Sequence, residues 1–318
     1  MRSRRAAAAR VPRSGVRAPR IPRCAGAPGA PSRSTMDEHR LAFPAMRTDF
    51  GFVLRGPDAG RLEAAAEEAR AEVLAAEREL SAFSLGSLLN KLNREAGAGP
   101  VRLPARLFEL LTLCQRVHRE SGGAFDPSVA PWMEAWGFRG GADAGDGAAA
   151  RAAAARAAVG LDGLRLDAAA RTARFLRPGM QLDLGGVAKG VALDRAAEAL
   201  ADAGVAHFLL HGGGSTFLSS GAPSGQAGWR VGVRDPRDPD RLLAGVELRD
   251  RALSVSGQHG RTVLADGARR GHVLDPARGA PAAGELAVAT APSAAAADAW
   301  STALLAGAAG AVSWRACA

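Results

Sequence analysis

An α+β fold, with antiparallel sheets packed against helices, is what this sequence predicts. Short, turn-bounded strand patterns crowd the second half of the chain, and helices with alanine- and leucine-lined faces stand beside them. No repeat of fixed period appears, and the runs of strands argue against a doubly wound sheet. Of the 318 residues, 47% are hydrophobic and 23% charged, the usage of a globular protein with a sizeable core. No window approaches the roughly 20 apolar residues of a membrane-spanning helix.

The formal net charge of +9 sits at one end. Nine of the 41 basic residues are arginines within residues 1 to 35, a stretch with no acid; the 32 that remain equal the 32 acids, so the chain from Met36 onward is formally neutral. A nucleic-acid-binding body is therefore not expected. The extension itself, rich in Arg, Ala, Pro and Gly, lacks the apolar surface to fold and reads as disordered, either a misplaced start before Met36 or an inert tail, or else a targeting segment. It has no apolar run of about 7 to 15 residues, and Cys24 follows Pro22 and Arg23, so neither a secretory signal nor a lipoprotein site is legible. Cys24, Cys114 and Cys317 are too few and too widely spaced for a disulfide framework or a cysteine metal site.

The body opens with Phe50, Phe52 and Leu54 in alternation, a strand ending in the turn Gly56, Pro57, Asp58. Residues 60 to 80 form an amphipathic helix on Leu62, Ala66, Ala69, Val73 and Ala76, and residues 104 to 120 a second on Leu107, Leu110, Leu111, Cys114 and Val117. Residues 139 to 158 are low in complexity and read as a surface loop passing into an alanine-rich helix. Strands follow at 164 to 166, 173 to 176 and 181 to 184, then a helix that starts in the glycine turn at Gly185 and Gly186 and closes at Gly204. HFLLHGGG, GWRVGVRD, LLAGVELRD, RALSVSG, RTVLAD and AVATA read as strands of an antiparallel sheet, and residues 293 to 309 as the last helix.

Four segments carry chemistry. LDLGGVAKG (182 to 190) leaves a strand, turns on two glycines and opens a helix with a lysine, exposing N–H groups and a cation to a phosphate, without the spacing of a Walker loop or a dinucleotide fingerprint. Lys189 is one of two lysines among 41 basic residues, which marks a wanted point charge; a glycine turn with a solvated lysine is the bland alternative. GHVLDPARGAP (271 to 281) offers His272 as a proton acceptor near Asp275, or as a structural histidine. SGGAFDP (121 to 127) brings Asp126, which either caps a helix or accepts from a ligand. Asp298, Ser301 and Thr302 share one helix face, a carboxylate and hydroxyls suited to a hard cation such as Mg²⁺ or simply a polar face.

Together and in order, AMRT, FSLGSLLNKLNR, SGGAFDPSVAPWMEAWGF, LDLGGVAKGVALDRAAEAL, HGGGS, GWRVGVRDP, LSVSGQHGR, GHVLDPARGAP and ADAWSTALLAG resemble the ApbE family, the FAD:protein FMN transferases once described as thiamine-biosynthesis lipoproteins. The resemblance covers residues 43 to about 307 and makes 36–318 one domain. It implies a T-fold-like flavin transferase fold. It also implies Mg²⁺-dependent transfer of FMN from FAD to a Thr or Ser hydroxyl of an acceptor flavoprotein, such as a subunit of a membrane redox complex, with release of AMP. By motif, Asp298 and Thr302, the Gly186 carbonyl and Ser301 would hold the metal. Met46, Phe83, Ala124, Phe125, Asp126, Asp183, Lys189 and Leu274 would line the FAD site, and His272 would be the general base.

The sequence departs from the family at four places. Arg47 stands where the family has glycine, and either contacts a phosphate or obstructs FAD. SLGSL (85 to 89) replaces an acidic stretch, and Ser215 replaces an aspartate. Family members continue past the metal helix through closing strands, whereas this sequence ends at VSWRACA, an end expected to leave a sheet edge uncovered. The rival readings are an FAD pyrophosphatase, in which water replaces the acceptor hydroxyl, and a catalytically silent flavin binder. The illegible export signal favours the cytoplasm, with the periplasmic face of the inner membrane as the alternative that the family's exported members imply.

Overall fold

The computed structural model describes residues 36–139, 144–238, 240–258 and 260–308. The residue 1 to 35 extension and the last residues, including the expected helix end at 309, lie outside them, as do Cys24 and Cys317.

The chain starts with a hairpin, β1 (Asp37–Ala45) and β2 (Thr48–Gly56), joined by the two-residue turn Met46 and Arg47. Only β2 was legible, because β1 begins Asp37, Glu38, His39, Arg40 and lies at a sheet edge, where charge is tolerated and Pro44 forfeits no buried ladder bond. Helix α1 (Ala59–Leu80) is capped by Asp58, whose side chain accepts from the Arg61 N–H, and buries the predicted stripe. A short α2 (Leu88–Glu95), capped by Ser87, precedes β3 (Val101–Arg102) and α3 (Ala105–Glu120). All five predicted apolar positions of α3 are buried. Burial pushes the Cys114 thiol up to about 12, which leaves it inert.

Next come α4 (Ala130–Ala135), α5 (Ala148–Ala154), β4 (Leu164–Asp167) and β5 (Thr172–Phe175). The alanine-rich stretch is less superficial than expected. Ala148 and Ala152 of α5 are buried, and the Trp132 indole N–H donates to the Ala152 carbonyl at 2.9 Å. The strand expected at 181 to 184 is also absent. A single parallel bridge joins Val129 to Gln181, and the Asn93 side-chain amide takes the place of a neighbouring strand by pairing with both the N–H and the carbonyl of Leu182, at 2.8 and 3.0 Å. Its buried leucines read as a strand because alternation also describes a connector pinned between two layers.

After α6 (Ala188–Asp202) come β6 (His207–Gly212), β7 (Thr216–Ser220), β8 (Trp229–Arg234), β9 (Leu242–Leu248), β10 (Ala252–Gly257), β11 (Thr262–Ala265), β12 (Ala268–Gly271), β13 (Leu274–Asp275), β14 (Ala280–Pro281), β15 (Leu286–Ala291) and α7 (Ala294–Ala306). The late strands do not share one sheet. A six-stranded antiparallel sheet runs β1-β2-β6-β7-β10-β15, while β8 pairs with β9, β11 with β12 and β13 with β14. Strand β15 is the edge opposite β1 among the described residues.

Alternation gives the large sheet two apolar faces. Phe50, Phe52, Leu54, Phe208, Leu210 and Ala252 face α1 and α6, whereas Leu209, Phe217 and Leu253 face the β8–β9 pair through Val231, Val233 and Leu248. A second core gathers α2, α3, β4 and β5. Helix α7 stands between the cores, giving Ala294 and Ala297 to one and Ala295, Ala299 and Ala303 to the other. A helix covered on so many sides must be small on all of them, hence its alanines.

Helices α6 and α7 cross with their backbones in close approach. A Cβ on Gly190 would stand 2.3 Å from the Ala294 carbonyl oxygen and 2.5 Å from the Ala295 nitrogen, both backbone atoms that cannot swing aside. Gly190→Ala is therefore expected to lower stability by about 2 kcal/mol, although alanine ordinarily gains roughly 1 kcal/mol over glycine within a helix. Urea unfolding of the two chains measures the difference.

Candidate functional site

The close crossing sets the register of α7. Asp194, one turn beyond Gly190 on α6, accepts from the backbone N–H groups of Ala294 and Ala295 at 2.7 and 2.9 Å, and Ser293 caps the Ala296 N–H at 3.2 Å. With its first turn fixed, α7 presents Asp298 to the start of α6. There the Asp298 carboxylate accepts from the Gly190 N–H at 3.2 Å and faces the Lys189 ammonium at 3.3 and 3.4 Å. From the sheet, the Thr216 and Ser254 hydroxyls donate to the same carboxylate at 3.2 and 3.1 Å. A carboxylate only 2% exposed is thus held by one cation and three neutral donors.

Thr302 lies one turn further on. Its Oγ1 donates to the Asp298 carbonyl at 3.0 Å and stands 3.4 Å from the Gly186 carbonyl. Close approach is again required, since a Cβ on Gly186 would sit 3.1 Å from the Thr302 side chain. Ser301 points elsewhere: fully buried, it bonds Ser254 and Ser256 at 3.1 and 2.8 Å and does not line the cavity. It braces the carboxylate's neighbours and stays outside the oxygen cluster proposed for the metal.

These groups form one corner of a cavity of about 1030 Å³, ample for a large organic ligand. Twelve of the thirteen residues singled out in the sequence line it, Ser301 being the exception. The glycine turn contributes Asp183, whose Oδ1 accepts from the Gly185 N–H at 2.8 Å and whose Oδ2 faces Arg139 at 3.3 Å. Phe125 forms buried wall, as does Leu274 of β13. Asp126 lines the cavity too, yet its carboxylate is already engaged by the Ser128 N–H and hydroxyl at 2.8 and 2.5 Å and by the Leu161 N–H at 3.1 Å. Its side chain shapes the loop that presents Ala124 and Phe125. Across the opening stand Met46 at the β1–β2 turn and the half-exposed Phe83.

His272 follows β12, with Nδ1 at 3.2 Å from the Arg261 carbonyl. Donation from Nδ1 to that carbonyl leaves Nε2 as the proton acceptor. Burial, with Lys189 and Arg261 nearby, holds this imidazole below its ordinary value, so it is neutral at pH 7.

Asp298, Thr302 and the Gly186 carbonyl offer only oxygen. One carboxylate, one hydroxyl and one carbonyl suit a hard dication that keeps waters and shares substrate phosphates. Among the described residues no group of three His, Cys, Asp or Glu could hold a metal by itself. Thr216, Ser254, Ser256 and Arg139 escaped the sequence reading of this site. The three hydroxyl residues were signalled only by their placement in apolar strands, and Arg139 by nothing local.

The ApbE family matches residues 46–316. The chain belongs to that family. It is 31% identical over 258 residues to the FAD:protein FMN transferase of Klebsiella pneumoniae, covering 79% of this chain and 73% of that one. It is 33% identical over 237 residues to the FAD:protein FMN transferase of Treponema pallidum, covering 70% and 65% respectively. The chain therefore spans about two thirds to three quarters of these ApbE relatives. Among solved structures, the ApbE protein of Thermotoga maritima superposes with a TM-score of 0.77 at 26% identity, over 85% of this chain and 87% of that one. The α+β fold is thus the ApbE fold.

Burial raises the Asp194 carboxyl from 3.8 to about 7 in the folded chain. A raised acid favours the protonated folded state. Its contribution to stability is therefore full below about pH 4 and is lost as pH rises through about 7. Asp194→Asn is expected to flatten that slope in unfolding curves taken between these limits. It should also lower stability at pH 5, because an amide offers one acceptor oxygen to two N–H groups.

Proposed function

We propose that this chain is an FAD:protein FMN transferase, which uses Mg²⁺ to move FMN from FAD to a Thr or Ser hydroxyl of an acceptor flavoprotein and releases AMP. The observation that carries the reading is the convergence, in one cavity, of the Asp298, Thr302 and Gly186 oxygens with Lys189 and His272. The names of the relatives support the flavin transfer.

Phosphoryl transfer calls mainly for positioning and charge neutralisation. Magnesium, held by Asp298, Thr302 and the Gly186 carbonyl, would supply Lewis-acid neutralisation of the FAD diphosphate. Lys189 adds a point charge at the N-terminus of α6, where backbone N–H groups also favour an anion. The buried walls exclude water, which favours a protein hydroxyl over hydrolysis. At neutral pH an alcohol is a poor nucleophile, and the free Nε2 of His272 takes its proton. The acceptor oxygen then bonds to the phosphorus of the FMN half, the bond to the bridging oxygen breaks, and that oxygen leaves with AMP.

Full-length protein incubated with FAD, Mg²⁺ and a candidate acceptor flavoprotein should yield AMP together with an acceptor heavier by one FMN. AMP with free FMN, whether or not acceptor is present, would identify a pyrophosphatase, and bound FAD without AMP a silent binder. Asp298→Ala is expected to abolish turnover, and undiminished activity at limiting Mg²⁺ would remove it from the metal site.

His272→Ala should lower kcat by about a hundredfold or more while leaving FAD affinity nearly unchanged. Because the neutral imidazole is the active form and its pKa is depressed, wild-type kcat/KM should fall only below about pH 6.5 and stay level above it. Rate measurements from pH 5 to 8 check this, and equal losses of binding and turnover would make His272 a binding residue.

A further inference from the structure

The cavity's rim carries a feature that the phosphate corner does not explain. Met46 and Arg47 form the whole β1–β2 turn, and both lie in the left-handed region, with φ of 50° and 62°. Asn-Gly or Gly-Gly suits such a turn, and each side chain here costs about 1 kcal/mol or more of backbone strain. The turn is pinned in place, since the Met46 N–H donates to Glu77 Oε1 of α1 at 2.7 Å. Strain retained at a fixed turn beside a ligand cavity points to work for the side chain.

Arg47 extends over Phe83, its guanidinium carbon 5.1 Å from the ring centroid, and Arg261 stands 6.0 Å from the same ring. Phe83 is 51% exposed, so much of it is open to a ligand. The two like charges oppose each other: burial, with Arg47 beside it, holds Arg261 below the ordinary guanidinium value. Among the described residues neither guanidinium forms an ion pair with a carboxylate, although Asp183 lies near enough to favour the Arg261 charge. Arg261 in turn acts with Lys189 on His272, so cations run in series from the Asp298 corner to the turn. This arrangement lacks an anion, and an open aromatic ring beside it favours one that carries a flat ring. A planar guanidinium meets both needs, stacking on a ring and pairing in bidentate fashion with a phosphate.

We infer that Arg47 adds to donor recognition: with Arg261 and Phe83 it engages the phosphate-bearing part of a dinucleotide, which strengthens the preference for FAD over uncharged flavin. The inference rests on the flavin-donor reading given above and adds a residue where the family has glycine. Phe83 alone would serve riboflavin as well as FAD.

The test is titration of full-length protein and Arg47→Gly with FAD, ADP and riboflavin at low and high salt. Glycine relieves the turn, so the variant should fold with an unfolding midpoint no lower than that of the parent. Arg47→Gly is expected to weaken FAD and ADP roughly tenfold at low salt, with a smaller loss at high salt, and to leave riboflavin unchanged. Arg47→Lys should recover part of the loss.

Unchanged or tighter FAD binding by Arg47→Gly would overturn the inference and make Arg47 an obstruction. Equal weakening of riboflavin and ADP would overturn it in favour of simple packing. The AMP assay separates this from the reading beneath it. Arg47-dependent binding of FAD and ADP without AMP formation upholds the inference and overturns the transferase, whereas AMP formation with FAD and riboflavin bound equally well does the reverse.

Discussion

The approach of α6 to α7 at Gly190 governs the rest of the site. Backbone meets backbone there with no side chain between, and Asp194 ties the start of α7 to α6. A helix fixed at its first turn has its later turns fixed by geometry, so Asp298 and Thr302 arrive over Lys189 and Gly186 without any need for flexible reach. A single methyl group at the crossing would shift every oxygen of that corner together.

The six-stranded sheet contributes more than a floor. Thr216 and Ser254 lend hydroxyls to Asp298 from adjacent strands, and Ser301 and Ser256 complete a chain of short polar side chains behind it. A buried carboxylate is costly unless its lone pairs are filled, and here strand, helix terminus and lysine each fill some. The arrangement holds the carboxylate still while leaving its cavity side open to a cation. Asp126 shows the opposite outcome. Its loop supplies three short-range donors, two to Oδ1 and one to Oδ2, so its side chain braces the wall.

Electrostatics divide the cavity into two regions. At one end Asp298 and Asp183 face Lys189 and Arg139; at the rim Arg47 and Arg261 share a ring and have no carboxylate in an ion pair among the described residues. His272 sits between these regions, partly buried and close to cations, which holds its imidazole below the ordinary value. A neutral base amid positive charge suits a reaction in which an alcohol must lose a proton beside a diphosphate.

The sequence by itself determined the amphipathic helices at 60 to 80 and 104 to 120, the glycine turn before α6, the α+β class and membership of the family. Each of these rests on local periodicity or on residues close in the chain. It also indicated Asp298 and Thr302 as a pair, because a spacing of four on a helix fixes a shared face before any tertiary contact forms. Only the tertiary structure decided that β1 is a strand, that residues 181 to 184 are not, and that Ser301 belongs behind the wall rather than in it. The edge hairpin escaped because charge is tolerated there, whereas an Asn93 amide standing in for a strand and a hydroxyl network across three elements are long-range choices. They depend on which partner completes a buried hydrogen bond, and that partner lies up to tens of residues or more away in the chain.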